Sequence, residues 1–201
     1  VKDSAIIIIT PQSGFDYFPK KLGNYWIYER FTIDSNNNEL PASRQVDSLV
    51  VKYTPKILGF DAIGLQTYRA GVRVNDTSYY SQIGPILYQY RSPINFPLIQ
   101  FPRRWMKIAD FVGVGWSVFD TTLNNASASG LPFTISGTIQ ATASRIPNEQ
   151  ITVSGNQYTA QKVVISTVYN ITLNQQLLPI PISFNTTSRE SIWFVDKIGI
   201  V

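Results

Sequence analysis

Apolar and polar residues alternate with a period of two along most of this chain, and small clusters of Gly, Pro and Asn break the alternation about every 8–12 residues. Such spacing predicts antiparallel strands joined by short turns. The first clear strand runs from Leu22 to Ile33, with Trp26, Tyr28, Arg30 and Thr32 on one face and Tyr25, Ile27, Glu29, Phe31 and Ile33 on the other. A polar turn, Asp34 to Glu39, leads to its hairpin partner, Val46 to Tyr53. Beyond a turn at Leu58 to Asp61, strands are expected at Ala62 to Arg69, Val72 to Val74, Thr77 to Ile83 and Ile86 to Tyr90. Asn75-Asp76 and Gly84-Pro85 supply the turns between the last three.

The alternation fails from Arg91 to Arg104, where Pro93, Pro97 and Pro102 predict an irregular loop. Phe101, Trp105, Ile108 and Val112 then recur at helical spacing, and Pro102 suits a first turn, so one short helix is expected here. Strands resume at Gly115 to Thr122, followed by a small-residue loop from Asn124 to Gly130. Two long alternating stretches, Phe133 to Ile146 and Gln157 to Leu173, are joined through a short strand at Gln150 to Ser154 and a Gly155-Asn156 turn. Pro179 and Pro181 interrupt the pattern before Ser191 to Val201 closes the chain.

The two long stretches span 14 and 17 residues, against a usual strand of about 5–6. Strands that long must bend. The fold expected is therefore all-β, with about ten antiparallel strands in a curled or closed barrel and at most one short helix; a two-sheet β-sandwich is the alternative. Residues 1–14 read as an N-terminal tail or edge strand and 15–201 as a single β domain. The β-branched run Ala5 to Ile9 needs a neighbouring strand, because left exposed it would invite aggregation.

Composition changes this picture in two ways. Charged residues are only 15% of the chain, with Ser, Thr, Asn and Gln in their place beside 11 Tyr and 11 Phe. Uncharged polar surfaces of this kind accompany sheets, and often extracytoplasmic ones. The 17 cations give a net charge of +4, yet they are scattered, with adjacent pairs only at Lys20-Lys21 and Arg103-Arg104. No basic stripe exists to neutralise a row of phosphates, so nucleic acid is not an expected partner.

The second change is the absence of both histidine and cysteine. Ser-His-Asp and Cys-His nucleophiles, thiolate redox chemistry and the usual zinc sites are thereby excluded. No cofactor motif and no metal site are expected. The apolar run Ala5 to Ile9 is far too short to cross a bilayer, so no transmembrane segment is expected either. A chain beginning at Val1 fits removal of a leader, by cleavage or by trimming.

Two segments carry a resemblance. Tyr17-Phe18-Pro19-Lys20-Lys21-Leu22-Gly23-Asn24-Tyr25-Trp26-Ile27-Tyr28 resembles the opening of a group of bacterial exported, lipoprotein-type envelope domains of unknown function, with one extra lysine in the middle. Trp193-Phe194-Val195-Asp196-Lys197-Ile198-Gly199-Ile200-Val201 is similar to their close. The resemblance implies export to the periplasm or cell surface, often with a lipid anchor on a removed N-terminal segment, and a curled sheet like that of the Lol-type lipoprotein carriers, wrapped around an apolar cavity. It implies no chemistry. Read by themselves, Pro19 and Gly23 set a turn, Trp26 enters the core, and Gly199 marks a bulge or a close backbone approach.

Catalytic candidates are few. Glu29, Asp110 and Asp120 are possible buried acids, and facing carboxylates would revive a hydrolase reading. Asp34 to Glu39 lacks the glycine and the distant acid of a calcium loop, and Gly113-Val114-Gly115-Trp116 lacks the third glycine of a dinucleotide site. Asn75, Asn125, Asn170 and Asn185 each open an Asn-x-Ser/Thr triplet, against about two expected by chance from this composition. The densest unusual region runs from Tyr79 to Trp105. Its candidate ligand-binding residues are Tyr79, Tyr88, Tyr90, Arg91, Phe101, Arg103 and Trp105, an aromatic lip in which Arg91, Arg103 or Arg104 meets an acidic or headgroup-like ligand. The expected function is non-catalytic binding of an apolar or amphipathic molecule such as lipid inside a barrel. The alternatives are closure of one end of the core by these rings, or an interaction module with an envelope protein as partner.

Overall fold

The computed structural model describes residues 2–7, 20–31, 40–93, 99–127, 133–153, 155–175 and 181–201. It is all-β, with antiparallel sheets, one of them curled as a half-barrel. The strands are β1 (Lys2–Ile7), β2 (Tyr25–Phe31), β3 (Gln45–Tyr53), β4 (Lys56–Ile57), β5 (Phe60–Asp61), β6 (Ile63–Arg69) and β7 (Val72–Ile83), then β8 (Ile86–Arg91), β9 (Arg104–Asp110), β10 (Gly115–Ser127), β11 (Phe133–Val153), β12 (Asn156–Gln175), β13 (Ile182–Val195) and β14 (Gly199–Ile200). One 3-10 turn at Pro41–Ser43 is the helical element among the described residues. The chain groups into two compact units, Val1–Pro85 with Pro147–Lys162 and Ile192–Val201, and Ile86–Ile146 with Val163–Ser191.

In the first unit β1, β2, β3, β6 and β7 lie side by side in that order, all antiparallel. The run expected at Ala5 to Ile9 contributes its first part to β1, which pairs with β2 from Lys2↔Phe31 to Ile7↔Trp26; Ile8 and Ile9 lie outside the described residues. So do Tyr17 to Pro19, the Asp34 to Glu39 turn, Phe96, Pro97 and Pro179. Trp26, Val51, Ile63 and Leu65 are buried. A second apolar cluster gathers Ala160, Val195 and Ile198, with Ile151, Tyr158, Trp193 and Val201 packed around it. Asp47 and Arg69 face each other across β3 and β6 in a bidentate pair, Nε to Oδ1 at 2.7 Å and Nη2 to Oδ2 at 2.8 Å. That hydrogen bond raises the Arg69 pKa, because it favours the charged form of the guanidinium.

In the second unit β8 pairs with β9, and β10, β11, β12 and β13 follow one another in a sheet. On β11 the residues Ile135, Ile139, Ala141 and Ala143 are buried, whereas Gln140, Thr142 and Ser144 between them are exposed. The apolar alternation therefore sets which face is inward. The outward face carries polar links: Gln140 donates to Asp120 at 3.3 Å, and the Thr172 and Ser183 hydroxyls lie 2.9 Å apart.

Four local expectations are corrected. No helix follows Pro102: residues 104–110 form β9, on which Met106 and Ile108 are buried with half-buried Lys107 between them. Period two wins because the edge of β8 offers backbone partners to every second residue, which a lone helical turn cannot match. Asn75-Asp76 is not a turn but part of β7, where residues 75–77 bulge opposite Gln66. Gln66 is buried, and its Oε1 accepts from the Thr77 hydroxyl at 3.1 Å. The loop expected from Asn124 is strand up to Ser127, with a bulge at Asn124-Asn125 where Asn125 takes a φ of 49°. Asn tolerates that left-handed conformation, and Ser136 Oγ accepts the Asn125 amide at 3.1 Å. Finally, the short strand at Gln150 is the end of a 21-residue β11.

Candidate functional site

The two segments that carried the resemblance meet in the first unit. Trp26 and Tyr28 sit two residues apart on β2, so their side chains leave the same face. The Trp26 indole donates to the Ile198 carbonyl at 2.7 Å and the Tyr28 hydroxyl to the Ile200 carbonyl at 3.1 Å. These carbonyls are also two residues apart. On its other side β14 is held by β13, through Phe194↔Ile200 and the Val201 amide to the Trp193 carbonyl at 3.0 Å. Two side chains thus satisfy backbone groups that a neighbouring strand would otherwise take. The turn into β14 needs left-handed backbone at Lys197 (φ 63°) and Gly199 (φ 104°), which explains a glycine at the second position.

Trp193, from the same closing segment, donates its indole N–H to Glu149. Lys162 lies over the Trp193 ring, 4.6 Å from its centroid, and 3.7 Å from the Glu149 carboxylate. Both contacts are made to Glu149 Oε1.

A similar grouping occurs in the second unit. Lys107 Nζ is 2.6 Å from Asp110 Oδ2 and 5.3 Å from the Trp116 ring centroid, and the Trp116 indole donates to the Lys107 carbonyl at 3.0 Å. Asp110 Oδ1 accepts the Gly113 amide at 2.8 Å and the Val112 amide at 3.1 Å. Burial pushes the Asp110 carboxyl up, but the Lys107 hydrogen bond and the two amides outweigh it, and its pKa is lowered. Arg145 closes the same bend by donating to the carbonyls of Phe111 at 3.0 Å and Val112 at 3.3 Å. Asp110 is a structural anchor with its lone pairs engaged, and Asp120 is exposed. The side chain of Glu29 lies outside the described residues.

The aromatic-arginine region divides in three. Tyr79 is on β7 of the first unit, opposite Gly64. In the second unit Tyr88 faces Lys107 and Tyr90 faces Trp105 across β8 and β9, with the Tyr90 and Trp105 rings 5.4 Å apart at 53°. These four side chains share one face of the hairpin. Arg91 faces Arg104 on the opposite face. Phe101 joins that second group, edge-on to Phe119 at 5.7 Å, and the Arg104 guanidinium stands 4.9 Å above the Phe119 ring. Arg103 is exposed, just before β9.

The Arg91–Arg104 face has an unusual charge balance. Like charges placed directly opposite on paired strands are destabilising. The carboxylate beside them is Glu190, whose Oε2 lies 3.8 Å from Arg91 Nη2, too far for a hydrogen bond. Arg91 Nε is buried and has no hydrogen-bond partner among the described residues. Among the described residues, two cations and one distant anion leave an uncompensated positive charge beside the apolar edge of Phe101 and Phe119. Phe119 escaped the sequence reading as an ordinary strand residue, and Glu190 because it falls just before the closing strand expected from Ser191, whereas β13 begins at Ile182. Both lie in a different sheet from the arginines, so packing between sheets and not strand pairing brings them close.

Glu190 belongs to a stretch of β13 with its own distinction. Every residue from Ile182 to Glu190 is exposed, on both faces of the strand, including Ile182 at 47% and Phe184 at 38%. On neighbouring β12, Val163, Ile165 and Ile171 are buried, and burial raises the pKa of Tyr169 on the same row. The described residues contain no group of three His, Cys, Asp or Glu able to hold a metal, and no described helix is long and apolar enough to cross a membrane. Compared with protein-family models, curated proteins and solved structures, the chain matches none.

Proposed function

We propose that this chain is a non-catalytic binding protein for an apolar or amphipathic molecule such as a lipid, and that it works after export, at the cell envelope. The observation that carries the reading is the passage from buried β12 to exposed β13 within one sheet of the second unit. Ile182 and Phe184 on one strand face leave part of their apolar surface exposed, and a ligand would supply further cover. The titratable groups that catalysis would need are engaged elsewhere: Asp110 by Lys107 and two amides, Glu149 by Trp193 and Lys162. Export rests on the resemblance of the opening and closing segments and on the low charge content. Native mass spectrometry of the protein purified from its own host tests the reading. A retained lipid-sized mass is expected, and a bare chain that also fails to take up a 12-carbon amphiphile would overturn it.

A second reading has one specific observation in its favour. β13 meets β14 only at Phe194 and Val195, so from Ile182 to Ser191 its outer edge has no strand beside it among the described residues. An extended peptide of an envelope partner could add there, by backbone hydrogen bonds. Substituting proline at an edge-facing position in β13 would abolish such binding and leave lipid uptake unchanged.

A further inference from the structure

We propose that Arg91 and Arg104 form an anion subsite, and that the ligand of the second unit is therefore an amphiphile with an anionic head. The inference rests on the binding reading above and adds the chemistry of the head group. Its physical basis is an imbalance: two guanidinium-bearing residues hold directly opposed positions of β8 and β9, and among the described residues the carboxylate in ion-pair range is Glu190, 3.8 Å from Arg91. Arg91 Nε is buried without an acceptor among the described residues, and proteins seldom keep such a donor, because its desolvation goes uncompensated. A carboxylate or phosphate between the two arginines would accept from that donor, screen the repulsion and replace Glu190 as counter-ion.

The surroundings select an amphiphile over a free ion. Arg104 lies over the Phe119 ring and Phe101 meets Phe119 edge-on, so an anion held there has apolar surface within a few atoms of it. Phe119 is 5% exposed and Arg104 is exposed, which places the charge at the outer end of the aromatic pair. Glu190, half exposed at 51% of its side chain, acts as an internal competitor: it holds Arg91 loosely and yields to a ligand with better geometry.

Isothermal titration of the full chain with dodecanoate, dodecyl phosphate, 1-dodecanol and inorganic phosphate separates the possibilities. Dodecanoate and dodecyl phosphate are expected to bind at least about tenfold more tightly than dodecanol, the difference of a charge-assisted contact. The gap should close in the Arg91→Gln/Arg104→Gln double variant, whose thermal midpoint should not fall, because removing opposed like charges does not destabilise. Glu190→Gln should tighten dodecanoate binding several-fold. Dodecanol binding as tightly as dodecanoate overturns the anion subsite and leaves the apolar reading standing. Inorganic phosphate binding as tightly as dodecyl phosphate overturns the amphiphile. A dodecanoate–dodecanol gap that survives in a folded double variant overturns the assignment to these arginines. Failure of every 12-carbon probe overturns the underlying reading itself.

Discussion

The closing segment of the first unit and the arginine face of the second are built from the same kinds of residue and differ in how completely they are satisfied. Around β14 two aromatic donors meet two carbonyls, and a second indole meets a carboxylate that also holds a lysine. The Trp26, Tyr28 and Trp193 donors there each have a partner from the chain. Around Arg91 two cations face each other, one carboxylate stands at 3.8 Å, and a buried N–H has no acceptor among the described residues. A saturated cluster adds to stability and asks for nothing further. An unsaturated one costs stability unless something else completes it, and that cost is the physical mark of a binding face.

Substitution should sharpen the contrast. Trp26→Ala removes a buried indole and strands the Ile198 carbonyl; a loss of about 3–5 kcal/mol in urea unfolding is expected. A loss under about 1 kcal/mol would break the claim that this residue ties the closing segment down. Asp110→Asn, in the second unit but in a saturated setting, should cost about 1–3 kcal/mol, since hydrogen bonds to a charged group are lost or weakened. Its pH dependence has a definite sign. The folded pKa is lowered, so the stabilisation is complete above the ordinary carboxylate value of about 3.9 and disappears as pH falls through the folded value. The difference between native and Asp110→Asn chains should therefore shrink in acid and stay constant from pH 5 upward, measured as urea midpoints along a pH series. Tyr28→Phe removes one hydrogen bond to Ile200 and should cost about 1 kcal/mol. The smallest effect is expected on the other side of the comparison. Arg104→Gln should change stability by no more than about 0.5 kcal/mol, or raise it, because it relieves the repulsion with Arg91. A loss like that of Asp110→Asn would show that the arginine face is as structural as the rest.

The strands were legible wherever one face of the sheet is buried. β3, β6 and β8 lie within a residue or two of the alternation that predicts them, since burial of one face forces period two. Reading failed where a signal has two meanings. Asn75-Asp76 and Asn124-Asn125 carry turn composition, yet both sit in bulges, which demand the same backbone freedom inside a continuous strand. Phe101, Trp105, Ile108 and Val112 matched a helix by spacing alone; with β8 beside them, Trp105 and Ile108 fall on opposite faces of a strand. The aromatic-arginine region was visible as composition, but its division was not. Tyr90 and Arg91 are neighbours in the chain and leave opposite faces of the hairpin, so a list of nearby residues mixes two environments.

What the sequence determined by itself is the class of protein: all-β, antiparallel, without the side chains for histidine or thiol chemistry. Those properties are local or compositional, and each follows from residue types and a two-residue period. Which polar groups are left over was decided by tertiary structure alone. Arg91 and Arg104 are opposed through strand pairing, Glu190 reaches Arg91 from a strand of another sheet, and Trp26 finds the Ile198 carbonyl 172 residues away. Partner counts depend on what folding brings within about 3 Å, and no pattern along the chain encodes that distance.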